Sequence, residues 1–179
     1  HERYDGKGYP RRIAGEDIPL TARILCVADS FDAMTSRRCY KAGMPLERVL
    51  KILREEEGHQ FDPKLARTFE ELFQGVYALD WENYLPLGAR FPISKAKCVK
   101  SKLHNEPSVQ AISKKAVVKK LQKHYARPEG VPLMENGAEF KIEVSILKDQ
   151  ATVLIDTTGS SLFKRGYRTE KGGAPIKEN

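Results

Sequence analysis

The 179-residue sequence predicts an α+β protein: an all-α first module, residues 1–66, precedes a second module, residues 67–179, in which helices lie on a small sheet. An apolar stripe with helical spacings predicts a helix in the first module, and it consists of Leu20, Ile24, Val27 and Phe31. Apolar residues at alternate positions predict a half-buried strand in the second module, and they are Phe140, Ile142, Val144 and Ile146. The first module carries 12 basic and 11 acidic side chains, whereas the second carries 19 and 13, which indicates modules with different partners.

The first module opens with an irregular loop, HERYDGKGYP, and continues as helices. The spacing of apolar residues predicts helices over residues 20–34 and 45–57. Asp62 is predicted to cap a third helix, with Pro63 at its first position and Gly75 just beyond its end. This third helix crosses from the first module into the second.

The second module is predicted to contain strands on both sides of one long helix. A turn or short helix spans residues 79–85, strands cover residues 90–93 and 99–103, a helix runs from Asn105 to about Tyr125, and two strands follow at residues 140–146 and 152–156. Pro92 makes residues 90–93 an edge strand because proline cannot donate to a ladder. The mostly apolar run at residues 152–156 predicts a central strand. This order of elements indicates an α/β or α+β sandwich with helices on a sheet.

Composition excludes several classes of protein. The longest apolar runs are only a few residues, so no membrane span and no membrane partner is predicted. The first residues lack both an apolar segment and an initiator Met, so we expect no signal peptide and a chain that begins inside a longer protein. Cys26, Cys39 and Cys98 form neither a disulfide framework nor a zinc pattern, which favours a reducing, cytoplasmic location.

Lysine is concentrated between residues 95 and 123, where nine lysines face a single acid, Glu106. Such a concentration is typical of a surface that meets nucleic acid, and a solvated helix face is the alternative. Lys115, Lys119 and Lys123 recur every four residues as a basic stripe on the predicted helix. A second basic cluster, residues 164–168, contains Tyr167, on which a base can stack, or it is an ordinary surface loop.

The pattern HExxDGxGYP followed by IPLxARILxVADxFDAMTS resembles the second half of an HD-GYP domain, a helical family that hydrolyses cyclic di-GMP at a centre of two or three metal ions. The resemblance covers residues 1–66. It implies that His1 and Asp29 match metal ligands, with iron or manganese as the metal of a complete domain. It also implies that Gly8, Tyr9 and Pro10 shape the nucleotide pocket.

Departures from that pattern are substantial. The upstream His-Asp dyad of the family and its other histidine ligands have no counterpart, and the usual TSDRPYR reads TSRRCYK here. Because metal affinity depends on a full ligand set, we expect no phosphodiesterase activity from this half-domain alone. The alternative is a metal-dependent cyclic di-GMP phosphodiesterase whose missing half comes from another chain.

The second module resembles the THUMP region of bacterial S-adenosylmethionine-dependent methyltransferases that form N2-methylguanosine in ribosomal RNA or tRNA. The resemblance is carried by TFEELFQG, LDWENYLP, RFPISKAKCVKSKLHNEPSVQAISKKAVVKKL, IDTTGSSLFKRGYR and GAPIKEN. It implies that the module binds structured RNA through phosphate contacts and shape. The predicted RNA-binding residues are Lys100, Lys102, Lys114, Lys115, Lys119, Lys164, Arg165, Tyr167 and Arg168.

These resemblances divide the chain into a truncated HD-GYP half-domain at residues 1–66, a THUMP-like RNA-binding region at residues 67–168, and the start of a methyltransferase domain at residues 169–179. The sequence shows neither a glycine-rich S-adenosylmethionine loop nor an Asn/Asp-Pro-Pro-Phe-type motif. We therefore expect an RNA-binding module that is not catalytic alone and binds no cofactor itself, with S-adenosylmethionine serving the full methyltransferase. Cyclic di-GMP is the second candidate ligand.

The seam near residue 66 leaves several explanations open. No Gly, Ser or Pro run separates the two patterns. Either the modules are naturally fused through a shared helix, or two reading frames have been joined in error, which the incompleteness of both patterns favours. A mixed chain that does not fold as one body is a third possibility, because the first helices would expose a face made for absent partners.

Overall fold

The computed structural model describes residues 1–36, 43–127 and 131–156. The helices are α1 (Leu20–Thr35), α2 (Leu46–Glu55), α3 (Pro63–Ala78) and α4 (Glu106–His124), and the strands are β1 (Ile93–Val99), β2 (Lys141–Leu147) and β3 (Gln150–Asp156). Single 3-10 turns occur at Gly15–Asp17 and Trp81–Asn83. Helices in the first part and a small mixed sheet in the second confirm the predicted α+β class.

The first three helices form where the apolar stripes predicted them. Helix α1 buries Ile24, Val27 and Phe31, and α2 buries one face in the same way. At the start of α3, the Asp62 carboxylate accepts hydrogen bonds from the backbone N–H groups of Lys64 and Leu65. The predicted cap is confirmed, and it satisfies donors that have no partner within the helix.

The prediction that α3 ends before Gly75 is wrong, because the helix continues to Ala78. Phe73 and Val76, on either side of Gly75, are fully buried. The indole N–H of Trp81 donates to the Val76 carbonyl at 2.7 Å and so stabilises the last turn. Burial of these side chains outweighs the cost of about 1 kcal/mol for a glycine inside a helix.

The sheet has the order β1-β2-β3, with β1 parallel to β2 and β2 antiparallel to β3. One strand, β1, replaces the two predicted at residues 90–93 and 99–103, and it stops at Lys100, whose φ is +49°. Strand β3 is an edge strand and not the predicted central one, because β2 pairs on both sides. The parallel pair requires a crossover, and α4 supplies it while packing on the inner face of the sheet.

One hydrophobic core runs through both modules. The Phe31 ring of α1 lies 5.0 Å from Phe69 and 5.2 Å from Phe73, both in α3. Helix α3 in turn packs against α4, whose Val109, Ala116 and Val117 are fully buried. The seam near residue 66 therefore lies inside a buried helix, with the core continuous on both sides of it.

Candidate functional site

An exposed basic edge lies where β1 ends beside the β2–β3 turn. Lys100 follows the last residue of β1, and the backbone N–H of Lys148 donates to the Val99 carbonyl at 3.1 Å, which brings these two lysines to the same end of the sheet. Lys102 joins them, because its backbone N–H donates to Asp149 at 2.8 Å while its ammonium lies 3.8 Å from that carboxylate. Lys97 lies two residues before Val99 on the outer, exposed face of β1. We call these four lysines the basic edge.

Three of the four lysines of the basic edge form no ion pair with the described residues. Among the described residues, Lys97, Lys100 and Lys148 have no carboxylate within ion-pair distance, and all three are exposed. Lys95, on the same face, lies 3.3 Å from Glu143 of the neighbouring strand and is partly neutralised. Unpaired cations at one end of a sheet can contact phosphate oxygens without first breaking an internal ion pair.

Lys114 of α4 is engaged inside the protein. Its ammonium lies 3.6 Å from the centroid of the Phe91 ring, donates to the Phe91 carbonyl at 3.1 Å and pairs with Glu135 at 2.6 Å. The side chain thereby joins α4 to the segment before β1 and to the loop before β2. Its contacts are those of a structural residue.

The other predicted lysines of α4 are also engaged. Lys115 pairs with Asp32 of α1 at 3.3 Å and donates to Ser36 at 3.0 Å. Lys119 is only 8% exposed and takes part in a further interaction. Lys164, Arg165, Tyr167 and Arg168 lie outside the described residues. Of the predicted RNA-binding set, the structure thus brings Lys100 and Lys102 together at an exposed edge. Lys114, Lys115 and Lys119 are engaged by other residues of the protein.

Sequence reasoning missed Lys97 and Lys148 as members of the basic edge. Lys97 belonged to the lysine-rich stretch, so its charge was visible, but its position on the outer face follows only from strand register. Lys148 lies in the turn between β2 and β3, far along the chain. The parallel pairing of β1 with β2 is what brings it beside Lys100.

A cavity of about 640 Å³ lies between the N-terminal loop and α1. His1, Tyr9 and Asp29 all line it, so the structure gathers residues that the sequence predicted to act together. The His1 ring stacks on Tyr9 with centroids 4.9 Å apart. Gly8 permits this arrangement, because a Cβ atom at position 8 would lie only 2.4 Å from the backbone nitrogen of Arg3.

The donors of this cavity do not make a complete metal centre. His1 and Asp29 are one imidazole and one carboxylate, and the part of the chain that the structure describes contains no cluster of three or more His, Cys, Asp or Glu side chains arranged for a metal ion. Burial raises the pKa of the Cys26 thiol, which also lines the cavity, so this thiol stays protonated near neutral pH. The described donor set therefore does not fit the iron or manganese centre of a complete HD-GYP domain.

Comparison with known families follows the same division of the chain. Residues 66–156 match the family model of the THUMP domain. The chain belongs to the THUMP domain family. Residues 1–65 match the family model of the HD domain. Both resemblances drawn from the sequence are confirmed.

Individual relatives are of two kinds. The RNA methyltransferase candidate YpsC of Bacillus subtilis (strain 168) is 46% identical over 113 residues, covering 63% of this chain and 29% of that protein. The 3'3'-cGAMP-specific phosphodiesterase 2 of Vibrio cholerae serotype O1 is 36% identical over 92 residues, covering 51% of this chain and 16% of the relative. The crystal structure of SMU.472, a methyltransferase candidate in complex with SAH, matches with a TM-score of 0.53 and 79% identity, covering 58% of this chain and 28% of that one.

This THUMP chain thus spans less than a third of each of these relatives. It is similar to an RNA methyltransferase candidate and to a cyclic dinucleotide phosphodiesterase. Within the described residues, no helix has the length and apolar character needed to cross a bilayer.

Proposed function

We propose that this chain is the RNA-binding module of an S-adenosylmethionine-dependent RNA methyltransferase of the cytoplasm, in which it holds structured RNA for a separate catalytic domain. The basic edge carries the proposal, because it presents unpaired lysines on an exposed surface of the THUMP-matched region. Ribosomal RNA or tRNA is the proposed ligand, and the N2 atom of a guanine is the proposed target of the full methyltransferase. The module itself positions the RNA and does not catalyse the methyl transfer.

Phosphate contact is the mode of binding that this geometry favours. The lysines of the basic edge come from a strand, from the segment after it and from a distant turn, and together they present positive charge at one end of the sheet. Lysine ammonium groups act as point charges toward phosphates. Binding should therefore depend steeply on salt and only weakly on sequence.

The test is fluorescence anisotropy with a ribosomal RNA stem over a series of salt concentrations. Replacing Lys97, Lys100 and Lys148 together by Ala should weaken binding to every structured RNA, because three phosphate contacts are lost. The slope of log K against log salt should become shallower by about two to three units. A triple change of Lys7, Lys51 and Lys64 to Ala, all in the first module, removes the same charge and should leave the slope near its original value. Equal slopes for the two triple variants would contradict the assigned surface.

The choice between RNA targets is tested by competition. A labelled ribosomal RNA stem bound to the chain is displaced by unlabelled tRNA or by the unlabelled stem. We expect the ribosomal stem to compete better if the parent enzyme acts on the ribosome, and tRNA to compete better if it acts on tRNA. No binding of the labelled stem at the outset would overturn the proposal that structured RNA is the ligand.

A metal-dependent cyclic di-GMP phosphodiesterase is the second candidate function. It is favoured by the match of residues 1–65 to the HD domain and by the cavity that His1, Asp29 and Tyr9 share. We propose that this chain alone does not hydrolyse cyclic di-GMP. His1 and Asp29 are the two residues that match metal ligands, and two ligands are too few for a metal centre. Turnover of cyclic di-GMP in the presence of added manganese or iron would refute this.

A further inference from the structure

A second cavity, of about 550 Å³, lies where α2 of the HD-matched part meets α3 and α4 of the THUMP-matched part. We call it the junction cavity. Its lining comes from α2 and the residue before it, from α3, and from α4 and the segment after it. Neither family match includes all of the lining residues, because some lie in residues 1–65 and the others in residues 66–156. Its volume lies within the range of about 300–1,000 Å³ of small-molecule sites.

The junction cavity carries positive charge on one wall. Lys123 and Arg127 are exposed, and among the described residues neither has a carboxylate within ion-pair distance. Lys119 lies deeper and is already engaged, so these two side chains are the cations that remain available. Glu47 is the acidic residue of the lining. The cationic wall suits a phosphate group, which lysine and arginine bind through charge-assisted hydrogen bonds.

The first turn of α2 reinforces this charge. Pro45, at the N-cap, provides no side-chain hydrogen bond to the turn, and Pro45, Leu46 and Glu47 all border the cavity. The first N–H groups of a helix have no partner within the helix and carry its positive dipole end. They add to the field of Lys123 and Arg127 without supplying a site by themselves.

Apolar side chains of α2 and a tyrosine ring of α3 also line the cavity. Tyr77 is half-buried, and its ring is stacked on Phe73 with centroids 5.9 Å apart and an interplanar angle of 17°. Leu46 and Leu50 lie beside it in the lining, and the amide of Gln74 is exposed nearby. A ring held rigid in this way can stack with a nucleobase, while an amide can bond to its edge.

We propose that the junction cavity binds a phosphorylated nucleoside, with the phosphate on Lys123 and Arg127 and the base against Tyr77. Two kinds of ligand present this base and phosphate. One is a free mononucleotide, and the other is a nucleotide of an RNA strand that the basic edge also binds. Only the second kind of ligand rests on the proposed RNA-binding function. In that case the HD-derived helix α2 completes an RNA site that the THUMP part alone lacks.

The test titrates the full chain with N-methylanthraniloyl-labelled GMP and AMP, and follows the fluorescence of the label. Replacing Lys123 and Arg127 together by Ala should weaken nucleotide binding at least about tenfold, as expected for the loss of charge-assisted hydrogen bonds. Both side chains are exposed, so the fold should survive the change. Replacing Lys7 and Lys64 by Ala removes equal charge from exposed positions that do not line the cavity, and should leave mononucleotide binding unchanged.

Competition then separates the two kinds of ligand. Displacement of the labelled nucleotide by a stem with a single-stranded extension, but not by the blunt stem, assigns the cavity to an RNA strand. Displacement by free mononucleotides alone assigns it to a free nucleotide. Absence of binding at millimolar nucleotide, or equal affinity in the Lys123/Arg127 variant, overturns the proposal. Either of those results leaves the salt-dependent RNA binding at the basic edge untouched, so the two proposals fail separately.

Discussion

Individual lysines of this chain have different roles despite their similar surroundings in sequence. Lys114 contacts a ring, a carbonyl and a carboxylate, whereas Lys97, in the same lysine-rich stretch, has none of these partners among the described residues. A long alkyl stem lets a lysine cover apolar surface while its ammonium binds an internal acceptor. Net charge therefore overstates how much of this stretch is free to meet RNA.

Ser113 carries a buried hydroxyl without a hydrogen-bond partner among the described residues. The residue lies in α4 and is 0% exposed. Replacing Ser113 by Ala should raise the free energy of unfolding by about 1 kcal/mol, because a buried polar group without a partner is costly. Urea unfolding followed by circular dichroism measures the change.

Ser101 provides the matched control. Its hydroxyl donates to the Leu103 carbonyl at 2.9 Å, so Ser101→Ala should lower the free energy of unfolding by about 1 kcal/mol. If both substitutions destabilised the protein equally, the hydroxyl of Ser113 would have a partner in solution.

At the scale of elements, α3 connects the two halves of the chain. Asp62 has two functions at its start, since it caps the helix and pairs with Arg23 of α1 at 2.6 Å. Both side chains of the pair are largely buried. A buried pair of this kind fixes the angle between α1 and α3, and it leaves a costly unpaired charge when one partner is removed.

Substitutions at Asp62 should separate these two functions. Asp62→Ala removes both the cap and the ion pair, and should lower the free energy of unfolding by about 3 kcal/mol. Asp62→Asn keeps an oxygen that can cap the helix, so its loss should be smaller by about 1 kcal/mol. Equal losses in urea unfolding would mean that the cap contributes nothing beyond the pair.

At the scale of the whole molecule, one hydrophobic core extends across the boundary between the two family patterns. Phe31 lies in the HD-matched part, while Phe69 and Phe73, which it contacts, lie in the THUMP-matched part. The ion pair of Asp32 with Lys115 crosses the same boundary. Domains that share one core are expected to unfold together.

A substitution in the first module should therefore destabilise the second. Phe31→Leu should lower the free energy of unfolding by about 1–2 kcal/mol, because it removes ring contacts from a packed core. Trp81, the single tryptophan, lies in the second module and reports its unfolding by fluorescence. We expect the Trp81 transition and the helical circular dichroism to shift by the same amount. A Trp81 transition that stayed in place would indicate two independent units.

The sequence by itself determined the features that depend on neighbouring residues. Apolar spacing predicted α1 and α2, a helix from Asn105 to about Tyr125 was predicted where α4 lies, and the Asp62–Pro63 pair predicted the start of α3. Alternation predicted β2. Helix-start signals and helical and strand periodicity are local properties of a sequence. Motifs such as GYP and SKLHNEPSVQAISKK carried both family resemblances. Tertiary structure alone decided which lysines are free, that β3 lies at an edge, that α3 passes Gly75, and that α2 and α4 enclose the junction cavity. Each of these depends on contacts between residues far apart in the chain, whose energies no local pattern records.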